Sequence, residues 1–265
     1  MRICLINFDA AWKDKQKNIG KMQELIFHAV SLKPDTSIIV FPELALSAYV
    51  LDKDVFTLAE SVDGSSISQI KELAKNNNIN LIFGFIEKNG NEKPFNSVLV
   101  IGKDGEIITK YRKNHLFTQS VEPEIYSAGQ ELSVFELEGW KIGLSICFDI
   151  RYPRLYETYK HAGVECVITP YAWVDGRNKP DIFASLSKGR SSENQFFMVG
   201  VDCIGKDQNN SYAGNAVVSN PYGEDIKQTH DEIFHFADMD KSEIENLGNI
   251  IPLKPGFKTD YIIKK

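Results

Sequence analysis

The chain lacks most of the devices that small or secreted proteins use to hold themselves together. Its four cysteines, Cys4, Cys147, Cys166 and Cys203, are scattered without a CxxC pair, which argues against a disulfide framework and against a zinc site. No apolar stretch approaches the length that spans a bilayer. Met1 leads directly into a strand-like run, without the basic region and apolar core of a secretory signal. The expectation is a cytoplasmic protein with no membrane partner. Basic residues are in deficit, 30 Lys and Arg against 36 Asp and Glu, for a net charge of -6. Nucleic acid needs a basic face to meet its phosphates, so a small molecule becomes the expected ligand. Low-complexity linkers, fixed-period repeats and sustained charge blocks are missing as well. One domain spanning 1–265 is therefore expected, large enough to bury its own core.

What the sequence does contain is an alternation of strand-like and helix-like segments. Arg2 to Asn7 forms a strand, and Ile19, Met22, Ile26, Ala29 and Val30 recur at helical spacing until Lys33-Pro34 stops them. Ile38 to Phe41 is a short apolar strand, a second helix carries Ile67, Ile70, Leu73 and Ala74, and the strand Ile79 to Ile86 follows. Antiparallel strands are expected near Ser97 to Ile101 and Glu106 to Lys110, joined at Lys103-Asp104-Gly105, before a long loop from Lys113 to Gln130. Strands flank Gly139, and a helix starting at Pro153 ends at His161-Ala162-Gly163. A strand from Val164 to Thr169, a helix near Asp181 to Gln195 and a strand from Phe196 to Asp202 come next, with late strands at Ala216 to Ser219 and Glu232 to Phe236. Mixed sheets with helices outside them are the expected α/β architecture.

Cys147 stands where the buried-strand run Ile142 to Ile146 gives way to Phe148-Asp149-Ile150-Arg151-Tyr152-Pro153 and a helix start. The partial positive charge of a helix N-terminus lowers a nearby thiol pKa, so the position is expected to favour a thiolate. Buried cysteines also serve as small apolar fillers, the role that suits Cys4, Cys166 and Cys203 in their strand-like runs. Glu43 follows Ile38-Ile39-Val40-Phe41-Pro42 at the carboxyl end of a strand, where ligands of α/β sheets meet the protein. Partial burial would suit such a carboxylate to act as a base; a helix cap or a salt bridge is the structural alternative. Lys113 lies in the basic cluster Lys110-Tyr111-Arg112-Lys113-Asn114-His115. That cluster is either solvated surface or the source of a lysine turned inward between carboxylates, offering a fixed cation to an oxyanion. His115 is, of the five histidines, the one placed to activate a thiol instead.

Three segments, Phe41-Pro42-Glu43, Tyr111 to Phe117, and Gly143 to Pro153 around Cys147, occur in the order of the nitrilase, or carbon-nitrogen hydrolase, superfamily, which the chain resembles over nearly its whole length. Phe95-Asn96-Ser97, Arg190 to Gln195 and Pro221-Tyr222-Gly223-Glu224 add to the resemblance. It implies an αββα four-layer sandwich with Glu43 as general base, Cys147 as nucleophile and Lys113 as the cation for a tetrahedral oxyanion, assisted by the backbone N–H of Phe148. It also implies a supporting glutamate after the lysine, Glu122 by spacing with Glu124 as the alternative, and no metal or organic cofactor. Asp149 and Arg151 match positions that fix the elbow.

Pro170-Tyr171-Ala172-Trp173 and the lysine and cysteine motifs look like the short omega-amidase-like members, which hydrolyse the terminal amide of dicarboxylate monoamides such as 2-oxoglutaramate. That likeness adds Tyr171 to the substrate-binding or supporting residues. N-carbamoyl compounds are the alternative substrates, and a catalytically silent binding protein on the same fold is the alternative of another class. Arg151, Arg154 and Arg177 are the cations close enough in sequence to meet a substrate carboxylate. Resemblance further implies a homodimer or higher homo-oligomer, with Tyr152 to Tyr159 and the terminal segments as the buried interface of the dimer. Two positions depart from the family pattern: Asp202 stands where relatives often carry Asn, and Gly214-Asn215-Ala216 replaces the usual Gly-x-Ser.

Overall fold

The computed structural model describes residues 1–208 and 210–253, so the end of the expected 1–265 domain lies outside the described residues. The first half runs β1 (Arg2–Ile6), α1 (Lys15–Leu32), β2 (Ile38–Val40), α2 (Val55–Leu58), α3 (Ser65–Asn76), β3 (Asn80–Glu87), β4 (Phe95–Ile101), β5 (Ile107–Arg112) and α4 (Glu122–Ile125). The second runs β6 (Val134–Leu137), β7 (Trp140–Leu144), a 3-10 turn (Cys147–Arg151), α5 (Pro153–His161), β8 (Cys166–Pro170), α6 (Lys179–Asn194) and β9 (Phe197–Val201). It closes with β10 (Ile204–Lys206), β11 (Ser211–Ala213), β12 (Ala216–Ser219), β13 (Gln228–Thr229), β14 (Phe234–Asp238) and α7 (Ser242–Ile250).

Two sheets carry the fold, in the orders β13-β14-β1-β2-β3-β4-β5 and β12-β9-β8-β7-β6. Each is built on three parallel strands, β1 to β3 and β7 to β9, and parallel neighbours need long crossovers, here containing α1 and α3 in one half and α5 and α6 in the other. Side-chain alternation sorts the layers. Ile3, Leu5, Ile38 and Val40 join a core shared with Ile142, Leu144 and Met198 of the second sheet. Their neighbours Cys4, Ile6 and Ile39 pack instead with Ile19, Met22 and Ile26 of α1 and Ile67 and Ile70 of α3. Tyr156 and Tyr159 of α5 and Phe183 of α6 cover the second sheet. The result is the expected αββα sandwich. Its central strands are apolar on both faces, which is why they read as continuous hydrophobic runs.

The sequence patterns do not show β10, β11, β13 or α7, and three further features escape them. The late strand extends to Asp238 and pairs antiparallel with β1 from Arg2↔Asp238 to Ile6↔Phe234, fastened by an Arg2–Asp238 ion pair at 2.8 Å. The other two are α2 and α4, single turns too short to show a helical period.

Candidate active site

Glu43 is placed by a close approach of two backbones. The chain leaves β2 at Phe41-Pro42 and folds over β3 at Gly84, whose N–H donates to Pro42 O at 3.2 Å and whose O accepts from Leu46 N at 3.2 Å. A Cβ at position 84 would sit 2.1 Å from Leu44 N and 2.8 Å from the carbonyl carbon of Glu43, so only glycine permits the contact. Glu43 N donates across to Tyr171 O in the second sheet at 3.3 Å. The carboxylate that results is fully buried. Its Oε1 accepts from Lys113 Nζ at 2.8 Å and Asn96 Nδ2 at 2.7 Å, and its Oε2 from the Ala172 N–H at 2.8 Å.

Lys113 directly follows β5, held by its N–H to Asn96 O at 2.9 Å and by its own carbonyl, which accepts from Gly129 N at 2.8 Å. It is turned inward. Its ammonium is 1% exposed and touches Glu43 Oε1 and both oxygens of Glu122, at 2.9 and 3.0 Å. Burial works against the charge, but Glu122 and Glu43 outweigh it and hold the lysine pKa above its ordinary value. Glu122 is the first residue of α4, fully buried, and takes further N–H groups from Asn96 and Phe117. Glu124 is exposed. Of the two glutamates that spacing leaves open, Glu122 is the one that meets the lysine.

Cys147 opens the 3-10 turn with a left-handed backbone, φ 42°, a conformation that costs a side-chain-bearing residue energy and recurs at functional positions. Asp149 holds the elbow. Its Oδ2 accepts from Ile146 N at 2.9 Å and from the Tyr111 hydroxyl at 2.7 Å, while its Oδ1 takes the His115 N–H at 2.9 Å and lies 2.7 Å from His115 Nδ1. The expected thiolate is not what this geometry favours. Burial pushes the Cys147 thiol up, the nearby Glu43 charge adds to this, and Lys113 and the Ala172 N–H only partly oppose it. The dipole expectation fails because α5 begins six residues later, at Pro153, and a single 3-10 turn supplies little aligned dipole. Deprotonating this thiol therefore calls for a base in contact with it. The Ala172 N–H donates to Glu43 Oε2 and also eases the charge on the thiol, so it acts on both carboxylate and sulfur.

The remaining sequence expectations separate. His115 is committed to Asp149 and its ring stacks on Tyr152 at 3.5 Å between centroids, an arrangement that fastens the elbow and offers Cys147 no base. The Phe148 ring packs edge-on against Phe117 and Tyr152. Tyr171 departs from its expected place. Its side chain is fully buried against Phe183 of α6 at 4.4 Å between centroids, and what it turns to the site is its carbonyl. Arg151 is exposed and lies over the Trp173 ring at 5.4 Å, joined there by Lys179 at 5.5 Å. Arg154 and Arg177 are exposed without such a contact. Asn96, Ala172 and Asp202 were not anticipated as part of the site. Asp202 is fully buried and accepts from Trp173 N at 2.7 Å and Cys203 N at 2.9 Å, fixing the segment that presents Ala172.

Known proteins resemble this chain over most of its length. The carbon-nitrogen hydrolase family model matches residues 2–247. The chain is 29% identical over 259 residues to the 2-oxoglutaramate amidase of Bacillus subtilis, covering 97% of this chain and 98% of that protein. It is 31% identical to the omega-amidase NIT2 of Danio rerio, covering 94% and 91%. Among solved structures, Nit3 of Saccharomyces cerevisiae, a member of branch 10 of the nitrilase superfamily, superposes with a TM-score of 0.87 at 25% identity over 96% of this chain and 94% of that one. With a buried carboxylate, lysine and elbow cysteine gathered where two sheets meet, and with the family model matching nearly end to end, the chain belongs to the carbon-nitrogen hydrolase family and is a hydrolase of the nitrilase fold.

Proposed function

We propose that the protein hydrolyses the terminal amide of a small dicarboxylate monoamide, of the 2-oxoglutaramate type, through a thioester on Cys147. The observation that carries this reading is the fully buried Glu43–Lys113–Glu122 arrangement, whose charges act directly on the buried Cys147 thiol. Glu43 takes the thiol proton as sulfur attacks the amide carbon, and Lys113 with the Phe148 N–H receives the negative charge that develops on oxygen. Glu43 then passes the proton to nitrogen, the C–N bond breaks and ammonia leaves. Water, deprotonated by the same Glu43, attacks the thioester; the carboxylic acid departs and the thiol is restored. Glu122 fixes the lysine rather than reacting.

The acid end of the substrate is matched by Arg151 and Lys179, two cations on the Trp173 ring immediately after Ala172; neither has a carboxylate within 4 Å among the described residues. A cytoplasmic location, a single domain and a homodimer packed through Tyr152 and the outer side of α5 complete the proposal; Tyr152 is 37% exposed. No helix among the described residues is long and apolar enough to cross a membrane.

The test is ammonia release from a panel of omega-amides and N-carbamoyl compounds, with mass spectrometry of E43Q, which is expected to hold the acyl group on Cys147. Loss of activity in C147A and an adduct carrying the dicarboxylate are expected. Equal background ammonia from wild type and C147A overturns the hydrolysis, and a carbamoyl adduct overturns the substrate class.

A further inference from the structure

Asn96 lies on β4, paired with Ile86 of β3, and is fully buried. Its side-chain nitrogen donates to Glu43 Oε1 at 2.7 Å and to Glu122 Oε1 at 3.0 Å. Lys113 Nζ donates to the same two oxygens at 2.8 and 2.9 Å. Two donors and two acceptors thus alternate in a closed ring. The amide orientation is dictated by its partners, because the flipped amide would set an oxygen against two carboxylate oxygens. The orientation leaves Asn96 Oδ1 buried without a partner, a deficit that folded proteins seldom carry away from functional sites.

We infer that Asn96 is a positioning residue for the hydrolysis, the second donor that keeps both carboxylates satisfied when Lys113 turns a proton to the oxyanion; the inference rests on the proposed function. The ammonium has three N–H groups and three carboxylate oxygens within 3.0 Å. Stabilising an oxyanion requires one N–H to leave an oxygen. Glu43 Oε1 and Glu122 Oε1 each keep the Asn96 amide, and Glu122 Oε2 keeps the Phe117 N–H. No buried carboxylate oxygen is stranded by the movement, so the lysine is free to follow charge as it develops. The ring also occupies Glu43 Oε1. Oε2, with a single N–H partner in Ala172, is left as the oxygen that exchanges protons with sulfur, nitrogen and water. Because the donor sits on a paired strand rather than a loop, it holds position during the reaction.

N96A and the isosteric N96D test this, each checked for folding by near-UV circular dichroism and melting. In N96A, kcat is expected to fall about 10- to 100-fold, the range seen when an outer partner of a reactive group is removed, with KM within about twofold. The acid limb of the kcat/KM profile should move to higher pH, as should the pH dependence of Cys147 alkylation by iodoacetamide. N96D replaces a donor with an acceptor between two carboxylates; its activity should be lost at pH 8 and recover in part on acidification, as the introduced carboxyl gains a proton to donate. A folded N96A with wild-type kcat and alkylation profile, or N96D fully active at pH 8, overturns the inference. Should N96A fail to fold, N96S is read by the same profiles. Alkylation needs no amide substrate, so a wild type that hydrolyses no amide refutes the proposed function, whereas unchanged alkylation profiles in the variants refute the role of Asn96.

Discussion

Replacing Lys113 with methionine isolates the energetics of the buried charges. Lys113 is 1% exposed and its two carboxylate partners are fully buried, so K113M strands two negative charges on one small patch with the Asn96 amide between them. At charge-centre separations near 4 Å and an effective dielectric of about 20, each lost attraction is worth about 4 kcal/mol. The desolvation that the ammonium no longer suffers offsets much of that sum, and removing one partner of a buried pair costs about 3–5 kcal/mol in net. Against a total stability of about 5–15 kcal/mol this is a large fraction. Urea unfolding of K113M and wild type at pH 7.5, followed by circular dichroism, should give that difference, with C147A as a control for an uncharged change in the same site. The deficit should shrink on acidification to pH 5, because protonating one of the stranded carboxyls relieves the buried charge. A loss below about 1 kcal/mol at pH 7.5, or a loss indifferent to pH, would refute the view that Lys113 is the counter-ion of a dry carboxylate pair.

Two further substitutions probe the walls of the site. Burial pushes the Asp202 carboxyl well above its ordinary value, with the Glu43 charge adding to this, although the N–H groups of Trp173, Cys203 and Asn215 pull the other way. A carboxyl raised in the folded state contributes stability that is complete below the ordinary carboxylate range and is lost as pH rises through its folded value. D202N keeps the carbonyl acceptor and carries no charge, so in urea melts it should gain on wild type as pH rises from 4 to 8 and show no gain near pH 3.5; a gap that stays flat with pH would contradict this. G84A drives a methyl group into the backbone of Glu43 and Leu44. Its kcat should fall about 100-fold through displacement of the base, while G189A, where a Cβ meets nothing within 4 Å on α6, should stay active and melt no lower; G84A with wild-type kcat would show that the turn tolerates the shift.

The sequence made the layers legible because parallel strands buried on both faces read as unbroken apolar runs, and because Gly and Pro punctuate them. The three residues at strand ends, Glu43, Lys113 and Cys147, were legible through motif order rather than through spacing, since neither the inward turn of Lys113 nor the dryness of Glu43 is local information. The errors have physical causes. The Cys147 thiol was assigned to a helix dipole, yet its surroundings are governed by burial and by a carboxylate 104 positions earlier in the chain. Tyr171 was placed by motif, whereas strand alternation puts it on the face of Thr169, toward Phe183 and the helices. Asn96 stands in the sequence only as part of a motif, and its amide acquires meaning from the register that sets β4 beside β5 and brings Lys113 N onto its carbonyl.

The chemistry is divided between the two sheets. Glu43, Asn96, Lys113 and Glu122 come from ends and loops of the first sheet; Cys147, Ala172 and Asp202 come from the carboxyl ends of strands in the second. Three of the connections that join the halves lie at the site: Glu43 N to Tyr171 O, Ala172 N to Glu43 Oε2, and Asp149 to Tyr111 and His115. The third gives the basic cluster its function. Tyr111 and His115 flank Lys113 two residues on either side, and both donate to the carboxylate that also holds the Ile146 N–H at the elbow. A shift of one sheet against the other would therefore move Lys113 and Cys147 through the same buried carboxylate, keeping cation and nucleophile in register while Glu43 is carried by its own tie to Ala172. The histidine that could have been a rival base is thus part of the fastening that lets a carboxylate and a lysine from one sheet act on a thiol from the other.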